Sequence, residues 1–437
     1  MAEELEKQEV DVVDAPQGKG KRISRREVLA GAVGAAGALA ISRVVFAQVP
    51  VPPDSTKVLG RDVSAVGSRS QFETPKRSFT KRPVPITATV SLTPLGDLDG
   101  IICPADLHYE RHHNGVPEID PKKYKLLIHG MVSRPMTFTL DDLKRYPRVS
   151  RIHFLECSGN SGGYYRQPTV NDTAQTAAGL TSTSEWVGVP LTTLFAEIGV
   201  DKRAAWAVCE SYDGAAMTRS IPIAKMWDDA LIAYGQNGEA IRPEQGYPAR
   251  LLLPGWEGNA NIKWIRRIEI TDRPAMSREE TSKYTDIRCG ADGKDCVATQ
   301  FTMFMDAKSI VTFPSGGQTI PGPGFWEIRG IAWSGRGFIE RVEVSTDGGK
   351  SWGLAKLELP VLDRSHTRFR YLWKWDGKEA VIMSRATDST GYIQPSREEL
   401  LAQHGGKPST ISGYHSNQIF IWKAASDGKV TGYVAPA

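Results

Sequence analysis

The chain of 437 residues is poor in the residue patterns that bind haem or zinc. It has five cysteines and eight histidines, and no two cysteines form a Cys-x-x-Cys pair. Without a Cys-x-x-Cys-His motif this chain is expected to carry no c-type haem of its own. An odd number of cysteines leaves at least one thiol outside any intramolecular disulfide. The sequence therefore directs attention to single thiols.

The chain also lacks a strong charge of either sign and a long hydrophobic run. Its net charge is +4 with 24% charged residues, which does not indicate a nucleic-acid partner. The weakly apolar run Ala30–Ile41 is too short and too rich in Gly and Ala for a stable span, which needs about 20 strongly apolar residues. We expect no membrane span in the mature protein; an uncleaved N-terminal anchor is the alternative.

Two adjacent arginines precede that run. Ser24-Arg-Arg-Glu-Val-Leu29 leads into it, and cleavage between small residues fits after Ala47. The pattern is typical of a twin-arginine export signal, so we predict a signal peptide over residues 1–47 and a periplasmic mature protein. Because this route exports folded proteins, it also indicates a cofactor inserted before export.

Composition divides the rest of the chain into four parts. Residues 48–100, rich in Pro, Ser, Thr and basic residues, predict an extended N-terminal arm. Between 101 and 280 short strand-like runs alternate with helical ones, which predicts a mixed α+β domain. Residues 281–300 are polar and predict a linker. From 301 to 437 regularly spaced strands predict an all-β, immunoglobulin-like sandwich.

Local patterns predict particular elements. Thr139 is a suitable N-cap for a short helix that ends near Tyr146. The segment 190–198 predicts a helix stopped by Gly199, and the alternating segment Ile262–Thr271 predicts a strand. The Asp-Gly-Gly sequence within Ser345–Trp352 predicts a hairpin turn.

Cys157 is the strongest candidate for chemistry. It ends the β-prone run Arg151–Glu156 and enters a Ser-Gly-Asn turn, where a thiolate can serve as a metal ligand or a nucleophile. The alternative is a small buried residue, since free cysteine is among the most buried residue types. Cys209 is predicted to be of that buried kind. Cys289 and Cys296 flank a short loop that could close into a disulfide.

Further motifs flank Cys157 along the sequence. His108-Tyr-Glu-Arg-His-His113 crowds cations and a phenol into one segment, as an anionic cofactor with a phosphate requires. A solvated loop or a zinc site are the alternatives, although the adjacent side chains of His112 and His113 diverge on regular backbone. Downstream follow Glu210-Ser-Tyr-Asp213, Gln245-Gly-Tyr-Pro-Ala-Arg250 and Asn259-Ala-Asn-Ile-Lys263.

Taken in this order, the motifs from about Ile101 to the C-terminus resemble those of the sulfite oxidase family of molybdopterin enzymes. The resemblance implies one molybdenum–molybdopterin per chain, with Cys157 as the metal ligand. It implies that Arg111 faces the metal and that Tyr284 is the active-site tyrosine, so that Cys157, Arg111 and Tyr284 are the catalytic residues. The residues implied to surround the pterin and its phosphate are Tyr109, Arg111, His113, Asp213, Gln245, Arg250, Asn261 and Lys263. The C-terminal strands resemble the family's dimerisation domain, which implies a homodimer within a hetero-oligomer.

The chain departs from the family pattern near the substrate. Ser161-Gly162 replaces an Arg-Arg pair, Gln245 replaces a histidine, and Tyr414-His-Ser-Asn417 stands where animal sulfite oxidases have Trp-His-Arg. The pocket is therefore expected to be less cationic than one built for free sulfite. The resemblance then implies oxidation of the sulfane sulfur of a cysteine persulfide carried on a partner protein, during thiosulfate oxidation, with electrons passed to a separate c-type cytochrome subunit.

Three other functions stay open at this point. The first keeps the fold and makes free sulfite the substrate of a periplasmic sulfite dehydrogenase. The second makes Cys157 a hydrolase nucleophile with His153 as its base, although four residues along a strand separate the two by about 13 Å. The third is a non-catalytic β-sandwich binding module.

Overall fold

The computed structural model describes residues 59–80, 88–288, 295–404 and 414–434. The predicted signal peptide, residues 48–58 and 81–87 of the predicted arm, and residues 289–294 of the predicted linker lie outside the described residues.

The chain divides into two units, Met1–Arg69 and Ser70–Ala437. In the first unit the described residues 59–69 are exposed, and Arg61 donates a hydrogen bond to Ser68 at 3.2 Å. The helices and strands of the described residues lie in the second unit.

The N-terminal part of the second unit is built mainly from short strands. In chain order these are β1 (Ser78–Thr80), β2 (Val90–Leu92), β3 (Glu110–Arg111), β4 (Leu126–Gly130), β5 (Met136–Phe138), β6 (Val149–Glu156), β7 (Thr181–Pro190), β8 (Trp206–Ser211), β9 (Thr218–Pro222), β10 (Leu231–Gln236), β11 (Glu239–Ala240), β12 (Arg250–Leu252) and β13 (Ile265–Thr271). They form three sheets, ordered β1-β2-β3, β11-β10-β7-β6 with β12 also on β10, and β5-β4-β13-β8-β9.

Short helices connect these strands. They are α1 (Leu140–Arg145), α2 (Gly162–Arg166), α3 (Ala174–Ala178), α4 (Leu191–Ile198) and α5 (Ile223–Asp228), with 3₁₀ turns at Ala105–Leu107 and Pro243–Gln245. Mixed short helices and sheets confirm the predicted α+β character of this domain.

Two helices begin or end where the sequence predicts. The Thr139 side chain accepts a hydrogen bond from the Asp142 amide, and Asp142 accepts one from the Thr139 amide, which closes a capping box at the start of α1. Helix α4 ends at Gly199, whose φ of 68° is a left-handed conformation that glycine adopts without a steric penalty.

One predicted strand starts later than expected. The alternating pattern predicts a strand from Ile262, but β13 begins at Ile265. Trp264 has a φ of 51°, which is outside the range of an extended strand. Trp264 and the preceding Lys263 both line a cavity next to Cys157.

The core of this domain lies between the sheet β5-β4-β13-β8-β9 and the segments that cover it. Its buried members include Leu126, Phe195, Ile268 and Cys209, which is fully buried as predicted. A smaller cluster with Trp186 and Leu155 lies beside the end of β6. Both clusters fix the strands whose ends carry the site.

The described residues of the predicted linker, 281–288 and 295–300, include regular secondary structure. A π-helical turn, Glu279–Lys283, is followed by the hairpin β14 (Asp286–Arg288) and β15 (Val297–Thr299). Glu279 and Glu280 are buried despite their charge, because they meet arginines of the same unit. Cys296 is disulfide-bonded, and Cys289 lies outside the described residues.

The C-terminal domain is a sandwich of two antiparallel sheets. Its elements are β16 (Lys308–Phe313), β17 (Gly324–Trp333), β18 (Ile339–Ser345), β19 (Gly353–Leu354), β20 (Lys356–Leu357), β21 (Thr367–Trp375), β22 (Ala380–Asp388), β23 (Ile421–Ala424), β24 (Val430–Gly432) and the helix α6 (Arg397–Gln403). The sheets are ordered β16-β17-β21-β20 and β19-β18-β22-β23-β24. This confirms the predicted all-β domain.

The sandwich core continues into the first domain. Inward residues of both sheets, such as Ile331 and Ile382, share one buried cluster with Phe154 of β6 and Tyr164 of α2. The strand that leads to Cys157 is therefore held from both domains. Among the described residues no helix has the length and apolarity needed to cross a membrane.

Candidate active site

Cys157 follows the last residue of β6 and starts a tight turn. The Asn160 amide donates to the Cys157 carbonyl at 2.8 Å, and the Cys157 amide donates to Leu180 at 3.0 Å. The Asn160 side chain bonds both Glu156 and the backbone of the next segment at 2.9 to 3.0 Å. Ser161 then takes a left-handed φ of 66°. These bonds fix the position of the thiol.

Cys157 lines a cavity that opens to solvent and has about 640 Å³ of empty space, the solvent at its mouth included. All ten residues predicted for the site line the same cavity: Tyr109, Arg111, His113, Cys157, Asp213, Gln245, Arg250, Asn261, Lys263 and Tyr284. They come from segments up to 175 residues apart in the sequence, from Tyr109 to Tyr284. The structure thus brings the predicted residues together, while the role of each one stays a prediction.

Three cationic side chains line the cavity, those of Arg111, Arg250 and Lys263. Arg250 is buried, lies 5.1 Å from the Trp186 ring centroid, and donates to the carbonyls of Gln245 and Asn261. Burial lowers the pKa of Arg250 to about 10, so the guanidinium keeps its charge at neutral pH. Burial, together with the charge of Arg250, lowers the pKa of Lys263 to about 7. An anion in the cavity would favour the charged form of Lys263.

The Lys263 ammonium is held at the end of a hydrogen-bonded series. It donates to His112 Nδ1 at 2.8 Å and to the carbonyls of Arg111 and Glu244. His112 Nε2 lies 2.7 Å from a Glu110 carboxylate oxygen. Burial lowers the pKa of His112. These contacts assign a neutral imidazole that donates from Nε2 to Glu110 and accepts at Nδ1 from Lys263.

Tyr284 closes one side of the cavity. Its phenol oxygen lies 2.8 Å from His113 Nε2, and its ring centroid lies 5.3 Å from that of Tyr414. Burial, and then the nearby Cys157, raises the pKa of Tyr284 well above its ordinary value. The phenol therefore stays protonated and can donate a hydrogen bond.

Two predicted site residues, Gln245 and Asn261, form hydrogen bonds to backbone groups with their side-chain amides. Asn261 accepts from the Leu253 amide and donates to the carbonyls of Trp256 and Glu257. Gln245 donates to the Tyr109 carbonyl at 2.8 Å. In these contacts the two amides shape the wall of the cavity, whereas the thiol and the cations supply its chemistry.

The residues present fit a thiolate-bound metal on a phosphate-bearing pterin. Cys157 offers a sulfur donor, and burial raises the pKa of its thiol, so binding a metal would have to displace the proton. Arg250 Nε is buried without a hydrogen-bond partner. A Cβ at Gly258 would lie 2.9 Å from the Glu156 carbonyl oxygen and 3.2 Å from Cys157 Cα, so glycine lets this segment pack closely against the Cys157 turn. Among the described residues, no group of three or more His, Cys, Asp and Glu could hold a metal ion.

Sequence reasoning missed some of the lining and correctly disfavoured one candidate. The further residues that line the cavity are His112, Leu155, Ser211, Met217, Gly258, Asn259, Ile262 and Trp264. Trp264 directly follows Lys263, and that adjacency was the available signal. His153, the alternative catalytic base, is not among the residues that line the cavity, and burial lowers its pKa to about 4.

Family models match both domains of the chain. The model described as oxidoreductase molybdopterin binding domain matches residues 113–279, and the model described as Mo-co oxidoreductase dimerisation domain matches residues 299–406. The crystal structure of the sulfane dehydrogenase SoxCD from Paracoccus pantotrophus is similar with a TM-score of 0.83 and 40% sequence identity. The match covers 89% of this chain and 100% of that chain.

The curated relatives include sulfite oxidases and nitrate reductases. The chain is 29% identical to human mitochondrial sulfite oxidase over 344 residues, which cover 73% of this chain. It is 30% identical to tomato nitrate reductase [NADH] over 345 residues, which cover 68% of this chain. The matched part spans 60% of the length of the first relative and 36% of the second.

Proposed function

The chain belongs to the sulfite oxidase family of molybdopterin oxidoreductases, and we propose that it oxidises the sulfane sulfur of a cysteine persulfide carried on a partner protein. The single observation that carries this proposal is the cavity that joins Cys157 to its cationic and phenolic lining. The likeness to the SoxCD structure over the full length of that chain supports the choice of substrate.

The molybdenum–molybdopterin cofactor, when bound, would supply oxygen-atom transfer to sulfur and accept two electrons for each oxygen atom transferred. Cys157 would be the protein's own metal ligand. The buried Arg250 and the partly buried Lys263 would neutralise the phosphate of the pterin, and the hydrogen bonds of Lys263 to His112 and Glu244 hold the ammonium in place for that purpose.

Arg111 and Tyr284 would act on the substrate side of the cavity. Arg111 lines the cavity and also borders a wider opening together with Arg278 and Lys283. A guanidinium at that position stabilises negative charge that develops on the sulfur and oxygen atoms. The Tyr284 phenol, held by His113, would donate a hydrogen bond at the same side.

The small residues that replace family arginines support a protein-bound substrate over free sulfite. Ser161 and Gly162 are buried in the turn after Cys157, and Ser416 is fully buried. None of these three positions adds a cation to the cavity lining. The exposed cations Arg278 and Lys283 stand instead at the wider opening, where a carrier protein would approach.

The proposed reaction needs partners beyond this chain. Oxidation of a persulfide to the sulfonate level consumes three water molecules and releases six protons and six electrons, R–S–S⁻ becoming R–S–SO₃⁻. We propose a c-type cytochrome subunit as the acceptor of these electrons and a sulfur-carrier protein as the substrate. The dimerisation domain supports a homodimer within a hetero-oligomer. The twin-arginine pattern supports a periplasmic location.

Counting electrons tests the substrate directly. Purified molybdenum-loaded protein with its electron-accepting subunit is supplied with a carrier protein whose cysteine has been persulfidated, and acceptor reduction is titrated to completion. Six electrons per persulfide, together with a carrier mass increased by three oxygen atoms, are expected. The same carrier with an alkylated cysteine is the control and should give none.

Free sulfite is the second candidate substrate, because the chain is similar to mitochondrial sulfite oxidases. Its oxidation to sulfate consumes one water molecule and releases two electrons. Turnover of sulfite at a rate that matches or exceeds that of the persulfidated carrier would replace the proposed function with a sulfite dehydrogenase.

A further inference from the structure

Five buried or nearly buried charged side chains of alternating sign lie in series next to the cavity. Arg219 Nε lies 3.0 Å from a Glu280 oxygen, and Arg219 Nη1 lies 2.9 Å from Glu257 Oε1. Glu257 Oε2 lies 3.4 Å from His415 Nε2, and His415 Nδ1 lies 2.8 Å from Asp286 Oδ2. The side chains of Arg219 and Glu280 are 0% exposed, and those of His415 and Asp286 are 11% and 10% exposed.

This series joins three separate parts of the fold. Arg219 and Glu257 belong to the first domain, Glu280 and Asp286 to the segment between the domains, and His415 to the C-terminal domain. Water is largely excluded from these positions, so an unpaired member would be costly. Each carboxylate therefore needs its cation in place.

His415 also contacts the turn that carries the thiol. Its backbone N–H donates to the Ser158 carbonyl at 2.9 Å, immediately after Cys157. His415 has a φ of 53°, a left-handed conformation that a non-glycine residue adopts at a steric cost. The surrounding contacts compensate for that cost.

The two ends of the series bracket Tyr284. Glu280 lies four residues before Tyr284 and Asp286 lies two residues after it. The Arg219 guanidinium lies 5.3 Å from the centroid of the Tyr284 ring, and the ring of Tyr414, next to His415, lies 5.3 Å from the same ring. Fixing the series therefore fixes the two tyrosines against the cavity.

We propose that His415 is a positioning residue, which clamps the Cys157 turn to the Tyr284 segment through its ring contacts with Asp286 and Glu257 and its backbone bond to Ser158. It does not contact the substrate. Its function is to hold the Tyr284 phenol and the Cys157 sulfur at a fixed separation, because errors of about 1 Å in such a geometry cost about 10²-fold in rate.

The charge state of His415 agrees with this arrangement. Burial alone would lower its pKa, but the hydrogen bond to Asp286 and the neighbouring Glu257 raise the pKa of His415 to about 10. A charged imidazolium donates a hydrogen bond from Nδ1 to Asp286 and faces Glu257 with its Nε2 N–H as an ion pair at 3.4 Å.

The test uses the full-length, molybdenum-loaded protein and two substitutions of buried histidines. His415→Gln removes the two-sided bridge, and His366→Gln is the matched control. His366 is also buried and bonds Thr181 at 2.9 Å, but it takes no part in the series of charges and makes no contact with Asp286, Glu257 or Ser158 among those described above. Asp286→Asn removes the same bridge from its other side and carries the test if His415→Gln does not fold.

Two measurements separate positioning from mere stabilisation. Turnover per bound molybdenum is measured with the persulfidated carrier, and hydrogen–deuterium exchange is followed in segments 157–160 and 279–286. For His415→Gln we expect kcat to fall about 10–100-fold with KM changed less than about threefold, and faster exchange in both segments. His366→Gln should lower the melting temperature without either change.

The kinetic part rests on the proposed function, whereas the exchange measurement needs no substrate. If the wild-type protein does not turn over the persulfide, the proposed function fails and the exchange result still decides the role of His415. The inference is overturned if both bridge variants leave exchange in the two segments unchanged. It is also overturned if kcat per molybdenum equals that of the His366→Gln control.

Discussion

The Nε2 atom of His113 lies 2.8 Å from the phenol oxygen of Tyr284, although 171 residues separate them in the sequence. Burial, reinforced by the charge of Arg111, lowers the pKa of His113 to about 3, so its imidazole is neutral at physiological pH. A neutral imidazole that carries its proton on Nε2 donates to the phenol oxygen and leaves the phenol O–H free to donate. The pair can therefore present a hydrogen-bond donor to a ligand beside Cys157.

Replacing Tyr284 with Phe should lower kcat about 10²–10³-fold, the usual effect of removing one donor that stabilises developing charge. The hydroxyl is the group at issue, because phenylalanine keeps the ring and its packing against Tyr414. Steady-state kinetics with the persulfidated carrier measure the effect. A neutral His113 adds no titration between pH 5 and 8, so the pH profile of kcat in that range should not contain its pKa.

Tyr124→Phe is the matched control for that experiment. Tyr124 is equally buried and its hydroxyl donates to the Ile265 carbonyl at 2.6 Å, but it does not line the cavity. Its loss should cost about 1–3 kcal/mol of stability through an unsatisfied carbonyl and leave kcat unchanged. Equal kinetic effects of the two substitutions would contradict a role for the Tyr284 hydroxyl.

Cys157→Ser should abolish turnover while leaving the fold largely intact. The serine hydroxyl is a poor substitute for a soft thiolate ligand, and a change of one atom at a half-buried site costs on the order of 1 kcal/mol. Activity, molybdenum content and circular dichroism are compared with those of Cys209→Ala, which alters a thiol of the core. Full activity in the serine variant would contradict the assignment of Cys157.

Stability should fall in alkaline solution because of His415. Its pKa is raised from 6.5 to about 10 in the folded protein, since Asp286 and Glu257 hold its charged form. The folded state therefore binds this proton more tightly than the unfolded state. The resulting stabilisation is complete below about pH 6.5 and is lost as the pH rises toward 10.

The comparison with His415→Gln isolates this effect from other groups. Lys263, whose pKa is lowered to about 7, contributes a pH dependence of the opposite sign over the same range. The difference in melting temperature between wild type and His415→Gln should be largest near pH 6 and should shrink as the pH approaches 10. A difference that stays constant from pH 6 to 10 would show that His415 carries no charge in the folded protein.

Lys308→Met should destabilise the junction between the domains. Lys308 lies 2.5 Å from Glu156 in a buried pair, and the Glu156 carboxylate also accepts from Trp333 and Asn160. Removing one partner of a buried pair costs about 3–5 kcal/mol, because the other charge stays buried. Urea denaturation measures the loss.

The exposed pair of Arg134 and Glu197 provides the control for that loss. Arg134→Met should cost less than about 1 kcal/mol, since solvent screens an exposed pair. Equal midpoints for the two variants would argue against a buried charge at Glu156. Because Glu156 precedes Cys157, Lys308→Met should also lower molybdenum retention.

Local sequence patterns predicted much of the fold because they act within a few residues. The Thr139 cap and the stop at Gly199 depend on groups within four residues along the chain, and the Asp-Gly-Gly turn joins the paired strands β18 and β19. The start of β13 was predicted three residues too early, since the turn at Trp264 depends on packing that no alternation of polar and apolar residues records.

The polar segment 281–300 is a second place where the structure differs from what the sequence pattern predicts. Its composition predicts a linker, yet Asp286 is nearly buried and paired with His415, and Glu280, directly before the segment, is fully buried and paired with Arg219. Polarity predicts exposure only when a charge has no partner, and these partners lie 61 and 129 residues away. The series of charges around Tyr284 therefore could not be predicted from spacing.

The sequence by itself determined which residues are able to do chemistry here: one thiol at the end of a strand, a cluster of cations and phenols, and motifs in a family order. The tertiary structure decided which of them share a cavity, which hydrogen-bond donors are already used by the backbone, and which charges are buried. The reason is physical, since side-chain type is a local property, whereas burial and partnership depend on residues brought together from distant parts of the chain.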